Sequence, residues 1–408
     1  MAEKKSPELK RSLSLTLVVL YGLGATVGAG IYVLIGVTAQ HAGVYAPFSF
    51  LIAALVMAPT AASFSELSVR MPYTAGEAAY VMRGFGSRTL SLVVGLMVVT
   101  AGMVSAAAVT IGGAGYLRAF VDLPEPVIVT VIVAFMGLVV AWGITQSVAF
   151  AGTLTAIEIA GLLVIGVFGF GGDPNLFFRL PEVVPSTFDI TIWTGILSAG
   201  LLAFFAFVGF EDIVNIVEET KRPEFTMPWG IGLTLIISVM LYFVVASVAV
   251  LSVPIPELAA SKSPLSDVFE TVTGASARYM SAIAVIATLN GMIIQMIMAS
   301  RVLYGLARQD QLPAAIGRIN PVTRTPLMAT GLVVLIVYVL AMLFPIERLA
   351  EWTAQVTLCI FTIVNVALIR IKLNGPDSEA DMPSFEVPIY VPVIGVLFSV
   401  GLLLTGLL

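Results

Sequence analysis

Three carboxyls sit where an apolar chain should not carry them. Glu158 lies inside Thr155-Ala156-Ile157-Glu158-Ile159-Ala160-Gly161, about ten residues from either end of its apolar run. Glu211 and Asp212 follow the aromatic stretch Phe204-Phe205-Ala206-Phe207-Val208-Gly209-Phe210. A carboxylate in lipid costs several kcal/mol unless it is paired, protonated or wet. Such a group either takes up a proton and hydrogen-bonds a neighbouring helix, or moves a proton or binds a cation as its job. The residues alone leave both readings open. Thr288 and Asn290, inside another apolar run, are equally able to glue helices or to line a site. Metal-cage and nucleophile chemistry are a different matter. The chain has one histidine and one cysteine, so it has no histidine cage, cysteine cluster or internal disulfide. No nucleophile–base pair is apparent, which argues against an enzyme.

The elements that must position these groups are membrane helices. Of the 408 residues, 59% are hydrophobic and only 11% charged, and the mean hydropathy is +1.03. Soluble chains carry about 25% charged residues. Eleven apolar runs read as spans, at about 14–36, 46–69, 89–116, 126–142, 149–171, 192–217, 229–253, 279–306, 326–344, 348–371 and 388–408. The polar start Met1–Ser12 has no cleavage pattern of a signal peptide. With the N-terminus in the cytoplasm, only Arg118, Arg179, Lys262, Arg278 and Arg348 of the 20 Lys and Arg fall outside. That asymmetry sets the expected orientation.

Two of the spans carry interruptions. Gly24-Ala25-Thr26-Val27-Gly28-Ala29-Gly30-Ile31-Tyr32 lies in the middle of span one. Each glycine weakens a helix by about 1 kcal/mol relative to alanine. By itself the stretch is either a close-packing face or a broken helix. Span six has its own interruption at Gly209. Residues 14–171 and 192–371 each hold five spans, and each five begins with the interrupted one. Five is odd, so the halves are inverted in the membrane. Paired interruptions in inverted halves point to a transporter binding site at mid-membrane. Residues 1–13 precede the first half, and 388–408 form one extra helix. At the end of span two, Glu66 and Arg70 stand one turn apart before Pro72, as a solvated helix end or a functional pair. Thr74–Tyr80 reads as a short helix along the membrane.

Several motifs are similar to the amino acid–polyamine–organocation superfamily: GAGIYVLIG (28–36), FSELSVRMPYTAGEAAY (64–80), FFAFVGFED (204–212) with EETKRPE (218–224), and ATLNG to SRVLYGLARQDQLP (287–313). Within it, the chain resembles bacterial amino acid permeases related to cationic amino acid transporters. The resemblance implies an all-α fold of two inverted five-helix repeats with discontinuous first and sixth helices. It implies that a substrate carboxylate meets N–H groups around Thr26, Gly28, Ala29 and Gly30. The ammonium would meet carbonyls around Phe205, Ala206 and Val208, with Gly209 giving room and Phe207 or Phe210 as an aromatic gate. Half-helix ends favour the same placement, since N-termini attract anions and unwound carbonyls attract cations. The side-chain pocket would draw on spans three, six, eight and ten, with the small residues of Ala101–Gly115 either leaving room for a sizeable side chain or serving helix packing alone.

The chain departs from that family in two places. It has eleven spans where members usually have twelve or more. At the span-five position where some proton-coupled relatives carry a lysine beside a span-eight hydroxyl, here matching Thr288, this chain has Glu158. The expected function is secondary transport of an amino acid across the cell membrane by alternating access. A proton is the expected coupling ion and sodium the alternative. Ion coupling falls to Glu158 and Thr288, then to Glu211 and Asp212. An amino acid or polyamine exchanger without ion coupling is the competing transport reading. A channel or a non-transporting sensor is the reading from another class. No cofactor, metal or nucleic acid partner is expected, and the sequence leaves the oligomeric state open.

Overall fold

A backbone in lipid must satisfy its own hydrogen bonds, and apolar runs of this length do so as helices. The computed structural model describes residues 11–27, 30–72, 76–142, 148–309, 311–375 and 384–406. It is helical throughout, and among the described residues the one β contact is an isolated bridge, Leu13 to Thr220. In chain order the helices are α1 (Leu15–Val27), α2 (Gly30–Ala42), α3 (Ala46–Arg70), α4 (Gly76–Phe85), α5 (Arg88–Leu117), α6 (Glu125–Trp142), α7 (Val148–Gly172) and α8 (Pro174–Arg179). The second half holds α9 (Ile190–Phe205), α10 (Pro223–Ser252), α11 (Ile255–Ala260), α12 (Pro264–Thr273), α13 (Arg278–Arg308), α14 (Leu327–Leu343), α15 (Ile346–Asn374) and α16 (Tyr390–Thr405). Among the described residues, eight helical stretches are long and apolar enough to cross a membrane, and three shorter apolar helices accompany them.

Span one is two helices, α1 and α2, and Gly28 and Ala29 between them lie outside the described residues. Span six changes character at Phe205. Ala206, Phe207 and Val208 turn through i to i−3 bonds of 3.0–3.1 Å, and Phe210–Glu219 continues as a 3-10 helix. The sequence alone reads that run as one interrupted span. The tighter winding brings Asp212 N–H onto the Gly209 carbonyl at 3.1 Å.

The two interruptions meet backbone to backbone. A Cβ on Gly30 would stand 2.1 Å from the Ala206 Cα. Gly209 has φ +116°, a region that L side chains rarely enter, and a Cβ there would stand 2.6 Å from the Ala25 carbonyl oxygen. Gly30 and Gly209 are therefore the points at which the two spans pack backbone to backbone. At the ends of the same two spans, Ser12 and Leu13 donate N–H to the Glu219 carbonyl at 2.8 and 3.0 Å. Lys221 N–H returns to the Leu13 carbonyl at 2.9 Å.

Around this pair, α13 lies antiparallel along α5, with Gly95, Gly102 and Gly113 against Leu306, Met298 and Thr288. On the face opposite Leu13, the short helices α11 and α12 sit over α2. A Cβ on Gly36 would stand 2.6 Å from the Leu258 carbonyl oxygen, and Tyr116 of α5 ties the layers by donating to the Tyr32 carbonyl and accepting from Leu265 N–H.

On the Leu13 face, Glu66 is fully buried, not a solvated helix end. Its Oε1 holds Arg70 at 2.7 Å and Lys372 at 2.8 Å, and its Oε2 accepts the Val387 N–H at 2.8 Å. Glu386 completes the cluster, 2.9 Å from Lys372 and 3.2 Å from Arg70. The Lys372 ammonium holds the Glu386 carboxyl below its ordinary range. So α3, the end of α15 and the approach to α16 are joined by one carboxylate. Glu66→Gln keeps the shape and leaves two cations short of an anion. It is expected to lower stability by about 2 kcal/mol, within the range for charged hydrogen bonds, read as a lowered melting temperature in detergent. An unchanged melting temperature would refute that role.

Candidate functional site

The site grows out of the contact between the two interruptions. Thr26 lies in the last turn of α1, with its hydroxyl donating to the Gly22 carbonyl at 2.7 Å. The Thr26 carbonyl accepts from a side chain of another helix. Ala206, just past the end of α9, presents its carbonyl to the same place. Between the two lies Tyr242 of α10, fully buried, with its hydroxyl 2.8 Å from the Thr26 oxygen and 2.7 Å from the Ala206 oxygen. Its ring is fixed by Phe207, at a centroid distance of 4.9 Å, and edge-on by Phe50 at 5.6 Å.

Of the expected carbonyls, that of Phe205 accepts the Val208 N–H at 3.1 Å, and that of Ala206 faces Tyr242. Gly30 N-terminates α2 in contact with Ala206. Gly28 and Ala29 lie outside the described residues. Phe207 packs on Tyr242, whereas Phe210 belongs to a separate aromatic group with Phe64 and Phe361, at 6.0 and 5.5 Å. Tyr242 escapes a sequence reading because it sits in Val239-Met240-Leu241-Tyr242-Phe243-Val244, an apolar run without a break or a charge.

Glu158 faces this region from α7 and is fully buried. Its Oε1 accepts from the Asn290 amide at 3.3 Å, while its Oε2 and the Asn290 Oδ1 have no partner among the described residues. Its backbone carbonyl accepts the Tyr32 hydroxyl at 2.7 Å, which links α7 to α2. The Thr288 hydroxyl is used within α13, donating to the Ala284 and Val285 carbonyls. The polar neighbour of Glu158 from α13 is thus Asn290, two residues along. A carboxylic acid and a primary amide are complementary: the amide N–H meets one acid oxygen, and an acid O–H can meet the amide oxygen. One proton on Glu158 would give both orphaned oxygens a partner.

Glu211 and Asp212 lie elsewhere. They line a small cavity of about 20 Å³ with Glu77, Gln295 and Thr357, walled by Ala101, Gly102, Val208 and Phe361. That volume holds about one water. The Glu211 carboxylate accepts the Gly209 N–H at 2.9 Å, whereas Asp212 Oδ2 and Thr357 Oγ1 have no partner among the described residues. Gln295 is five residues beyond Asn290 on α13, about 7.5 Å along the helix axis. Glu77 gives no signal in the sequence because it sits in a short helix, far along the chain from the acids it joins. A larger open cleft, about 690 Å³ and lined by Tyr45, Arg179, Glu182 and Val253, lies on the face opposite Leu13 and shares no group with the interruptions.

Burial pushes the Glu77 carboxyl up to about 7. A raised acid favours the protonated fold, so the stability this group contributes is full below the ordinary carboxylate range and is lost as pH rises through about 7. Glu77→Gln is expected to flatten the fall in melting temperature between pH 5 and 8. An unaltered pH profile would contradict the assignment.

Comparisons with known proteins give the family and the fold. Residues 12–408 match the amino acid permease family. The branched-chain amino acid permease BcaP of Bacillus subtilis is 27% identical, over 97% of this chain and 88% of that one. The vacuolar cationic amino acid transporter 2 of Arabidopsis thaliana is 29% identical, over 92% of this chain and 62% of its own length. The methylthioribose transporter of B. subtilis is 27% identical, over 99% and 89%. Among solved structures, a mutant manganese transporter of Eremococcus coleocola superposes with a TM-score of 0.63 at 15% identity, covering 96% of this chain and 85% of that one. That likeness shows the fold, an all-helical inverted-repeat transporter fold with discontinuous first and sixth helices. The chain belongs to the amino acid permease family, within the amino acid–polyamine–organocation superfamily, and is a membrane transporter, not an enzyme.

Proposed function

We propose that the protein is a secondary amino acid transporter of the cell membrane, working by alternating access and coupled to protons. The observation that carries this reading is the backbone contact of Gly30 with Ala206, where carbonyls from both half-helices converge on one buried hydroxyl. An α-ammonium binds there through carbonyls, and its carboxylate meets the N-terminus of α2. Residues 14–171 and 192–371 form the two repeats that rock against each other, with the N-terminus in the cytoplasm.

Proton coupling rests on Glu158. It is a buried carboxyl with one amide neighbour and, among the described residues, no cation in hydrogen-bond contact. Its cheapest uncharged state in lipid is the protonated acid. The acids around the Asp212 cavity form a second group through which a proton can pass. Relatives that carry branched-chain and cationic amino acids support an amino acid as the substrate.

The test is uptake into proteoliposomes of a tritiated mixture of the proteinogenic amino acids. Accumulation driven by an inside-alkaline gradient, without sodium, is the expected result. Accumulation that requires a sodium gradient would overturn proton coupling. Uptake that needs internal amino acid and no gradient would make the protein an exchanger.

A further inference from the structure

The Tyr242 hydroxyl faces two carbonyls with one proton. It can donate to the Thr26 oxygen at 2.8 Å or to the Ala206 oxygen at 2.7 Å, but not to both at once. At any moment one of the two acceptors is therefore without the phenol's proton, at a point sealed from water, where a missing hydrogen bond is costly. Phe207 and Phe50 hold the ring, so the hydroxyl cannot swing away to a third partner. An ammonium has three N–H donors. Placed between the carbonyls, it serves both, and the third N–H can meet the phenol oxygen, which then acts as acceptor.

We infer that Tyr242 is a positioning residue whose hydroxyl stands in for the substrate's ammonium when the carrier is empty. The inference rests on the proposed substrate site. In the empty protein the phenol bridges the two half-helices, which lets them close on each other and reorient without cargo. When an amino acid arrives, its ammonium takes over the carbonyls. A carrier without that proton must bring two bare carbonyls together to return empty, but it closes normally around substrate.

Two transport modes separate these steps. Net uptake into empty vesicles requires the unloaded carrier to return, whereas counterflow from preloaded vesicles lets it return loaded. Tyr242→Phe keeps the ring and removes the donor. With the tritiated amino acid mixture as probe, the ratio of net uptake to counterflow is expected to fall about tenfold, the equilibrium worth of one buried hydrogen bond. Equal losses in both modes would reduce Tyr242 to a structural tie and overturn the inference. Should the Phe variant not reconstitute, Tyr242→Met also lacks a donor, fills the slot with a flexible side chain and is read the same way. Wild-type protein that takes up no amino acid in either mode would overturn the substrate site itself, a failure visible before any variant is made.

Discussion

Vesicles holding Glu158→Gln will bind amino acids but will not concentrate them against an imposed pH gradient. The substitution copies the protonated acid: its amide oxygen accepts from Asn290, and its N–H can reach the Asn290 oxygen that has no partner among the described residues. The helix contact between α7 and α13 is kept, and so is the Tyr32 bond to the residue-158 backbone. What is lost is the ability to release a proton. A gradient of one pH unit stores about 1.4 kcal/mol per proton, enough for about tenfold accumulation at one proton per substrate. Wild-type vesicles are expected to approach that level, and the variant to stop at equal concentrations on the two sides. A melting-temperature shift on adding amino acid checks that binding survives. An undiminished gradient response in the variant would remove Glu158 from the coupling mechanism and leave the cavity of Glu77, Glu211 and Asp212 as the place to look.

The second large effect concerns Gly30→Ala. A Cβ there would fall 2.1 Å from the Ala206 Cα and 2.5 Å from its Cβ, distances that real atoms do not adopt. Both obstructing atoms are fixed to backbone, so no side chain can rotate away. The two spans must part by about an ångström or more to reach ordinary contact. Overpacking of this kind costs about 1–3 kcal/mol. The larger consequence is for the site, since parting the spans draws the Ala206 carbonyl away from Thr26 and Tyr242. Displacements of that size cost about a hundredfold in sites that depend on fixed geometry, and uptake is expected to fall by that order. Gly232→Ala in α10 is the control, because a Cβ there meets nothing within 4 Å. Near-normal uptake by Gly30→Ala, measured beside that control, would show that the contact is not used in transport.

Much of this arrangement is legible in the chain because it depends on glycine and on charge. Gly30 and Gly209 are unlike their apolar surroundings, and they mark the interruptions as clearly in sequence as in space. Glu158 stands out for the same reason. Partners that are ordinary membrane residues do not. Tyr242 looks like any tyrosine in an apolar helix until two carbonyls are placed at its hydroxyl. Asn290 is visible as a polar residue, yet the two-residue difference between it and Thr288 decides which side chain faces Glu158, and that depends on how α13 is rotated against α7. Glu66 looks like half of an exposed i, i+4 pair because its other partners, Lys372 and the Val387 N–H, come from the far end of the chain. Glu77 joins Glu211 and Asp212 only because α4 turns back beneath span six. Residue type shows where a polar group is out of place, and only the packing shows what it meets.

The backbone bonds between residues 12–13 and 219–221 bear on how many parts can move. They bolt the start of α1 to the end of the 3-10 segment, so on that face these halves of spans one and six are one leaf of a door, not two. In the proposed alternating-access cycle these two half-spans would move as one body. Two residues ahead of the first span would thereby tie the motion of its first half to that of span six.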